Sequence, residues 1–137
     1  PAVGFLLGES TDPIERYAAG LEGLALVERL AYDTLLELGL EVDETIYITG
    51  GGSRSQLWSQ IRAAVLGRTL ARPVTPETAM GAAILAASGC WFGSLSEAVR
   101  NMVKIAGSIQ PEAAWQTVYQ ERYRQFVDEL KRRDYIE

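Results

Sequence analysis

The chain has 137 residues, of which 47% are hydrophobic and 23% charged, a composition typical of one soluble globular domain. Its net charge of -5 and its low lysine content argue against a surface that follows nucleic-acid phosphates and against a polybasic membrane patch. Histidine is absent and Cys90 is the only cysteine, which excludes Ser-His-Asp and Cys-His catalysis, histidine metal sites and an intrachain disulfide.

The first predicted element is a long helix. Asp12, Pro13 and Glu15 form a helix start in which Asp12 is the N-cap and Pro13 the first helical residue. The apolar pattern continues to about Leu38, and Gly39 is a natural end. Apolar residues occupy much of the circumference, so we expect this helix to be buried.

Short strands and further helices are predicted to follow. Residues 45–49 are rich in β-branched and aromatic side chains, which favours a strand. A second helix is expected to open at Ser53 and run to about residue 66, and residues 69–72 are expected to form a second strand. A third helix over 77–88 is expected to stop at Gly89.

Two more helices complete the prediction. Ser94 and Glu97 form a capping box for a short helix that ends near residue 103. A last helix is predicted over residues 111–133, with an apolar stripe formed by Tyr119, Tyr123, Phe126 and Leu130. The order of helices and strands predicts parallel strands with crossover helices. Because only two short strands are predicted, we expect an incomplete sheet.

The motif most informative about chemistry is the run Gly50, Gly51 and Gly52 between the first strand and the second helix. Without Cβ atoms the backbone can approach a ligand closely, and the first amides of a helix point outward, which is typical of phosphate binding. The alternative is a tight turn in which Ser53 is an N-cap and Gln56 its reciprocal partner. That alternative explains three consecutive glycines less well, because one glycine suffices to turn a chain.

Two common nucleotide motifs do not fit this run. A Walker A loop is excluded because no Gly-Lys-Ser/Thr follows the glycines. A dinucleotide fingerprint fits poorly, since Ser55 stands where its third glycine belongs and the second strand ends in Arg72 and Pro73 rather than in an acid. What remains is a glycine turn that contacts adenosine and phosphate through backbone amides.

The predicted third helix contains Gly81 among alanines. A glycine inside a helix costs about 1 kcal/mol relative to alanine, so some compensation is expected. We interpret the small residues as a packing surface that lets another backbone element come close, rather than as a site of chemistry. Glu77 is interpreted as a first-turn acid favoured by the helix dipole.

The run from Gly50 to Ile61, then Val65-Leu66-Gly67, then Glu77 followed by Gly81-Ala82-Ala83, resembles the FGGY carbohydrate kinases. That family includes xylulose, ribulose, gluconate and glycerol kinases, and the resemblance covers nearly the whole chain with its spacing kept. It implies an α/β fold that is part of an actin-like ATPase (ribonuclease H-like) domain, helix-rich, with few parallel strands. Residues 1–137 are then expected to be a C-terminal nucleotide-binding portion without the N-terminal sugar-binding domain.

The resemblance also implies the ligands and the residues that contact them. Gly51 and Gly52, together with Gly50, would lie against the adenosine and α-phosphate of ATP, and Ser55 and Gln56 would approach the adenine. Mg²⁺ would accompany ATP, bound mainly through the nucleotide and residues outside this chain. The catalytic Asp and most sugar contacts belong to the N-terminal half of such kinases. No residue of this chain is therefore predicted to be catalytic.

The function implied is ATP-dependent phosphorylation of a sugar or polyol hydroxyl, with the isolated chain inactive. One alternative is a non-catalytic nucleotide-binding or interaction module from a split or truncated kinase gene. A third hypothesis, an actin-like or chaperone-type ATPase, is compatible with the same fold, but the run from Gly52 to Trp58 and the helix with Gly81-Ala82-Ala83 favour the sugar kinase. We expect no nucleic-acid or membrane partner, self-association of a truncated chain, and a cytoplasmic location, since neither a membrane span nor a secretory signal is visible.

Overall fold

The computed structural model describes Phe5 and residues 7–137. The elements in chain order are α1 (Pro13–Glu37), β1 (Thr45–Tyr47), a one-turn 3₁₀-helix (Gly51–Arg54), α2 (Gln56–Leu66), β2 (Thr69–Pro73), α3 (Thr78–Cys90), α4 (Leu95–Met102), β3 (Ile105–Ile109) and α5 (Ala113–Arg132). The chain divides into two compact units. The first contains the described residues up to Val42, Ile61–Gly67 and Pro111–Glu137, and the second contains Asp43–Gln60 and Arg68–Gln110.

The core of the first unit includes one face of α5 and the middle of α1. The predicted stripe is confirmed, because Tyr119, Tyr123, Phe126 and Leu130 are the buried residues of α5. The Tyr119 hydroxyl donates to Oε1 of Glu22 at 3.0 Å. Burial, reinforced by the Glu22 charge, raises the pKa of Tyr119 to about 12, so this phenol stays protonated and able to donate.

Helix α1 begins and ends where the sequence indicates, yet it is not buried. Oδ1 of Asp12 accepts from the amide of Ile14 at 2.9 Å, and Gly39 adopts a φ of +81° just beyond the helix. Only Ala25 and Leu26 of α1 are buried. The prediction of a buried helix is therefore wrong for the described part of the chain, because its apolar circumference is wider than the surface that the rest of the unit covers.

The exposed apolar face of α1 leads to a prediction about association. Tyr17, Leu24 and Val27 are 71%, 62% and 53% exposed and recur at helical spacing on one side. Because exposed apolar patches favour association, we expect the average mass of the chain, measured by light scattering, to rise with concentration. Leu24→Glu should lower this mass, whereas Leu85→Glu, at an equally exposed position on α3, should not. A monodisperse monomer over the whole concentration range would contradict the prediction.

The second unit contains a three-stranded mixed sheet in the order β1-β2-β3. Strands β1 and β2 are parallel, as predicted, with Ile46 opposite Leu70. Strand β3 was not predicted, and it pairs antiparallel to β2 with Leu70 opposite Ile109. Leu70, in the central strand β2, is fully buried.

Two other predicted boundaries differ from the structure. Strand β1 ends at Tyr47, earlier than predicted, although the amide of Ile48 still donates to the Ala71 carbonyl at 2.9 Å. Helix α3 continues through Gly89, so this glycine does not end it. In α4, Oγ of Ser94 accepts from the Glu97 amide as predicted.

No helix among the described residues is both long and apolar enough to span a membrane.

Candidate functional site

The glycine run forms a compact turn between β1 and α2. Gly50 has a φ of +78° and precedes the one-turn 3₁₀-helix Gly51–Arg54. The buried Ser53 closes this turn, since its amide and its hydroxyl both donate to the Gly50 carbonyl, at 3.2 and 2.6 Å. These two bonds fix Ser53 against Gly50 inside the turn.

Helix α2 begins at Gln56 and not at Ser53, which corrects the predicted cap. Oγ of Ser55 accepts from the amide of Trp58 at 3.3 Å, so Ser55 takes the N-cap role. The Ser53 hydroxyl is used inside the turn instead. Ser53 and Ser55 are both good caps by residue type, and only the backbone of the turn decides between them.

The fold constrains the three glycines differently. A side chain at Gly50 would be strained by its left-handed backbone conformation. A Cβ at Gly52 would lie 3.3 Å from Nε1 of Trp58, a tight contact. A Cβ at Gly51 would meet no atom within 4 Å, and its φ is not left-handed. Nothing in the described fold therefore requires glycine at position 51.

The structure brings the five predicted site residues together along this turn. Gly51, Gly52, Ser55 and Gln56 are exposed and Gly50 is half-buried. The first amides of any helix have no acceptor within it, so the N-terminus of α2, apart from the Trp58 amide that Ser55 caps, presents donors and the positive end of its dipole. The arrangement can receive an anionic group from outside the fold, and binding by these residues stays a prediction.

Two contacts that the sequence did not indicate join the turn to the start of α3. The Gly50 amide donates to the Pro76 carbonyl at 2.6 Å, and Nη2 of Arg54 donates to Oε1 of Glu77 at 2.6 Å. This hydrogen bond from Arg54 lowers the pKa of the Glu77 carboxyl. Glu77 occupies the N-cap position of α3 without a side-chain capping bond, so its interpretation as a first-turn acid was wrong. No local pattern relates residues 23 positions apart.

A small cavity of about 210 Å³ lies beside these contacts and is lined in part by Arg54, Arg72 and Glu77. Its charged lining belongs to the same unit as the glycine turn. Within the part of the chain that the structure describes, no group of three or more His, Cys, Asp or Glu residues could hold a metal ion.

The small residues of α3 do not form the predicted packing surface. A Cβ at Gly81 would meet no atom within 4 Å among the described residues. The small residues of this helix are exposed: Ala79, Gly81, Ala82, Ala83 and Ala86. The expectation of close backbone packing there is therefore wrong for the described residues, because no described element approaches that side of α3.

Comparison with known proteins assigns the family. Residues 3–90 match the family model described as "FGGY family of carbohydrate kinases, C-terminal domain". Over 130 residues the chain is 30% identical to an FGGY carbohydrate kinase domain-containing protein of Danio rerio, covering 91% of this chain and 23% of that protein. It is 38% identical over 103 residues to an autoinducer-2 kinase of Salmonella paratyphi B, covering 66% of this chain and 19% of that protein. The chain belongs to the FGGY family of carbohydrate kinases.

Solved structures agree with this assignment. The chain is similar to the xylulose kinase of Rhodospirillum rubrum with a TM-score of 0.74 and 30% identity, covering 91% of this chain and 26% of that one. The gluconate kinase of Lactobacillus acidophilus shares the fold with a TM-score of 0.80 at 19% identity. The predicted α/β fold, part of an actin-like ATPase domain, is thereby confirmed, with one antiparallel strand added. The chain spans about a quarter or less of the length of the relatives named here.

Proposed function

We propose that this chain is the part of a carbohydrate kinase that binds the adenosine and phosphate end of ATP. The reaction of the kinase is transfer of a phosphoryl group to a sugar or polyol hydroxyl. The observation that carries the proposal is the exposed glycine turn from Gly50 to Gly52, which leads into the N-terminus of α2 in a chain of this family. Residues 1–137 then form a C-terminal nucleotide-binding portion.

The chain's own groups would bind and orient the nucleotide. Amides of Gly51 and Gly52 and the first amides of α2 would donate to phosphate oxygens, and the open space at Gly51 lets an anion come close. Ser55 and Gln56, exposed at the start of α2, would lie near the base. Such positioning is most of what a phosphoryl-transfer enzyme supplies, while ATP supplies the phosphoryl group itself.

We assign no catalytic or metal-binding residue to this chain. A kinase of this class needs a base that orients the attacking hydroxyl, and Mg²⁺ that neutralises phosphate charge. The acids nearest to the glycine turn in sequence, Asp43 and Glu44, precede β1 and are exposed, and nothing in their surroundings indicates such a role. We therefore propose that Mg²⁺ arrives with the nucleotide and that the base and sugar contacts are supplied elsewhere in the protein.

The proposal is tested with the product of the complete reading frame that encodes this chain. ADP release would be measured with MgATP against a panel of sugars and polyols, with water alone as the control acceptor. We expect release that depends on one class of acceptor, which would also identify the substrate. ATP binding without any acceptor-dependent release would contradict the kinase proposal.

A second candidate is a non-catalytic nucleotide-binding or interaction module. The exposed apolar face of α1, which includes Tyr17, Leu24 and Val27, favours it because such faces are typical of interaction surfaces. The two candidates are separated by the same assay, since the module would bind ATP without acceptor-dependent turnover.

A further inference from the structure

We propose that Arg54 and Glu77 are positioning residues that hold the glycine turn in the conformation that binds ATP. This inference rests on the proposed function and concerns the same site. Neither residue would contact the reacting atoms. Their effect would pass through the backbone of residues 50–54.

The geometry of the turn carries this proposal. The residue just before the one-turn helix, Gly50, is bonded through its amide to the carbonyl of Pro76 at 2.6 Å. The last residue of that helix, Arg54, is bonded through its guanidinium to Glu77 at 2.6 Å. The two ends of the turn are therefore hydrogen-bonded to two consecutive residues, Pro76 and Glu77. Pro76 is itself buried, so these contacts connect the turn to the packed part of the second unit.

The hydrogen bond of Gly50 and the ion pair of Arg54 differ in how mutation can remove them. The bond of Gly50 is between backbone groups and persists in side-chain variants. The bond of Arg54 is a side-chain ion pair whose members are 71% and 49% exposed. An exposed pair adds little to the free energy of unfolding and is screened by salt. Its removal is therefore expected to free the far end of the turn without unfolding the unit.

A fixed turn matters because glycine is the residue with the most backbone freedom to lose. Three adjacent glycines would sample many conformations if both ends were not held. Ordering such a segment on binding costs affinity, and fixing it beforehand removes that cost. The ion pair thus links a surface charge contact to the affinity for the nucleotide.

The experiment compares Arg54→Ala, Glu77→Ala and the double variant in ATP binding by isothermal titration calorimetry. Each single variant is expected to raise the Kd by about two- to fivefold, and the double variant no more than either single. The thermal midpoint should stay unchanged, which a merely structural role would not predict. Raising the salt concentration should narrow the difference between the parent and the variants.

Arg124→Ala is the matched control. Arg124 forms an ion pair with Glu121 at 3.3 Å whose members are 66% and 60% exposed, and it belongs to the first unit, whereas the glycine turn belongs to the second. Its replacement should leave the Kd for ATP unchanged. The charge-reversed pair, Arg54→Glu with Glu77→Arg, should recover most of the affinity that either reversal alone loses.

The outcomes that overturn the inference are distinct from those that overturn the proposed function. A loss with Arg54→Ala but not with Glu77→Ala would make Arg54 a direct ligand contact. Losses that multiply in the double variant would show that the residues act independently. If the variants of Arg54 and Glu77 bind ATP with unchanged affinity while Gly51→Asp loses affinity, the positioning role is wrong but the glycine turn remains the proposed ATP site. Persistent binding in Gly51→Asp would instead remove the proposed site.

Discussion

Gly51→Asp is expected to weaken ATP binding by about 100-fold, measured by titration calorimetry with the product of the complete reading frame. The added carboxylate would stand where the site is proposed to receive a phosphate, and two negative charges about 4 Å apart repel by several kcal/mol at a protein surface. The fold should be unaffected, since a Cβ at this position meets no atom within 4 Å. Gly51 therefore offers a cleaner test than either neighbouring glycine.

The matched control for this prediction is Gly51→Asn. Asparagine has nearly the same shape as aspartate and no charge, so a smaller loss of affinity would assign the difference to electrostatic repulsion. Thermal unfolding of both variants should match that of the parent. Equal ATP affinity in the parent and in Gly51→Asp would remove the glycine turn from the nucleotide site.

Leu70→Ala is expected to lower the free energy of unfolding by about 3 kcal/mol, measured by urea denaturation of the chain. Leu70 is fully buried in the central strand β2, with β1 on one side and β3 on the other. Truncation removes buried apolar surface and leaves a cavity that a hydrogen-bonded strand cannot easily close. This is the largest effect on stability that we expect from a single side chain here.

The control for Leu70→Ala is Leu85→Ala on α3. Leu85 is 62% exposed, and alanine is the better helix former, so its replacement should change the free energy of unfolding by less than about 0.5 kcal/mol. Equal urea midpoints for the two variants would show that β2 is not at the core of the second unit.

Local signals in the sequence predicted the helices well because each signal acts within a few residues. Asp12 caps α1 and Gly39 adopts the left-handed conformation just beyond it. Ser94 caps α4 through the amide of Glu97. The Glu97 carboxylate, however, accepts from the amide of Gly93 instead of the Ser94 amide that a capping box requires.

Features decided by distant parts of the chain could not be predicted. Strand β3 (Ile105–Ile109) contains alanine, glycine and serine at its centre, which carry little strand preference, and it forms because β2 offers an open edge. Gly89 stays inside α3, since one glycine in a last turn is tolerated. The exposure of α1 likewise depends on what surrounds it, and a helical pattern alone does not state how much of a face is covered.

The position of the candidate site along the chain could be predicted from the sequence, but the contacts that stabilise its conformation could not. The glycine run, a preceding strand and a following helix are local, and the five predicted residues indeed lie along the turn and the first residue of α2. The bond from Arg54 to Glu77 joins separate elements, and the use of Ser53 inside the turn depends on the backbone conformation of Gly50. No repeating pattern of residues in the sequence predicts either contact.

The three neighbouring glycines also have an evolutionary consequence. At position 50 the backbone conformation selects for glycine, and at position 52 the indole of Trp58 limits size, so mutations there are filtered by folding itself. Position 51 is free of both constraints. In a related protein that no longer binds the ligand, we therefore expect position 51 to be substituted first. Positions 50 and 52 should remain glycine, because folding still selects for it there.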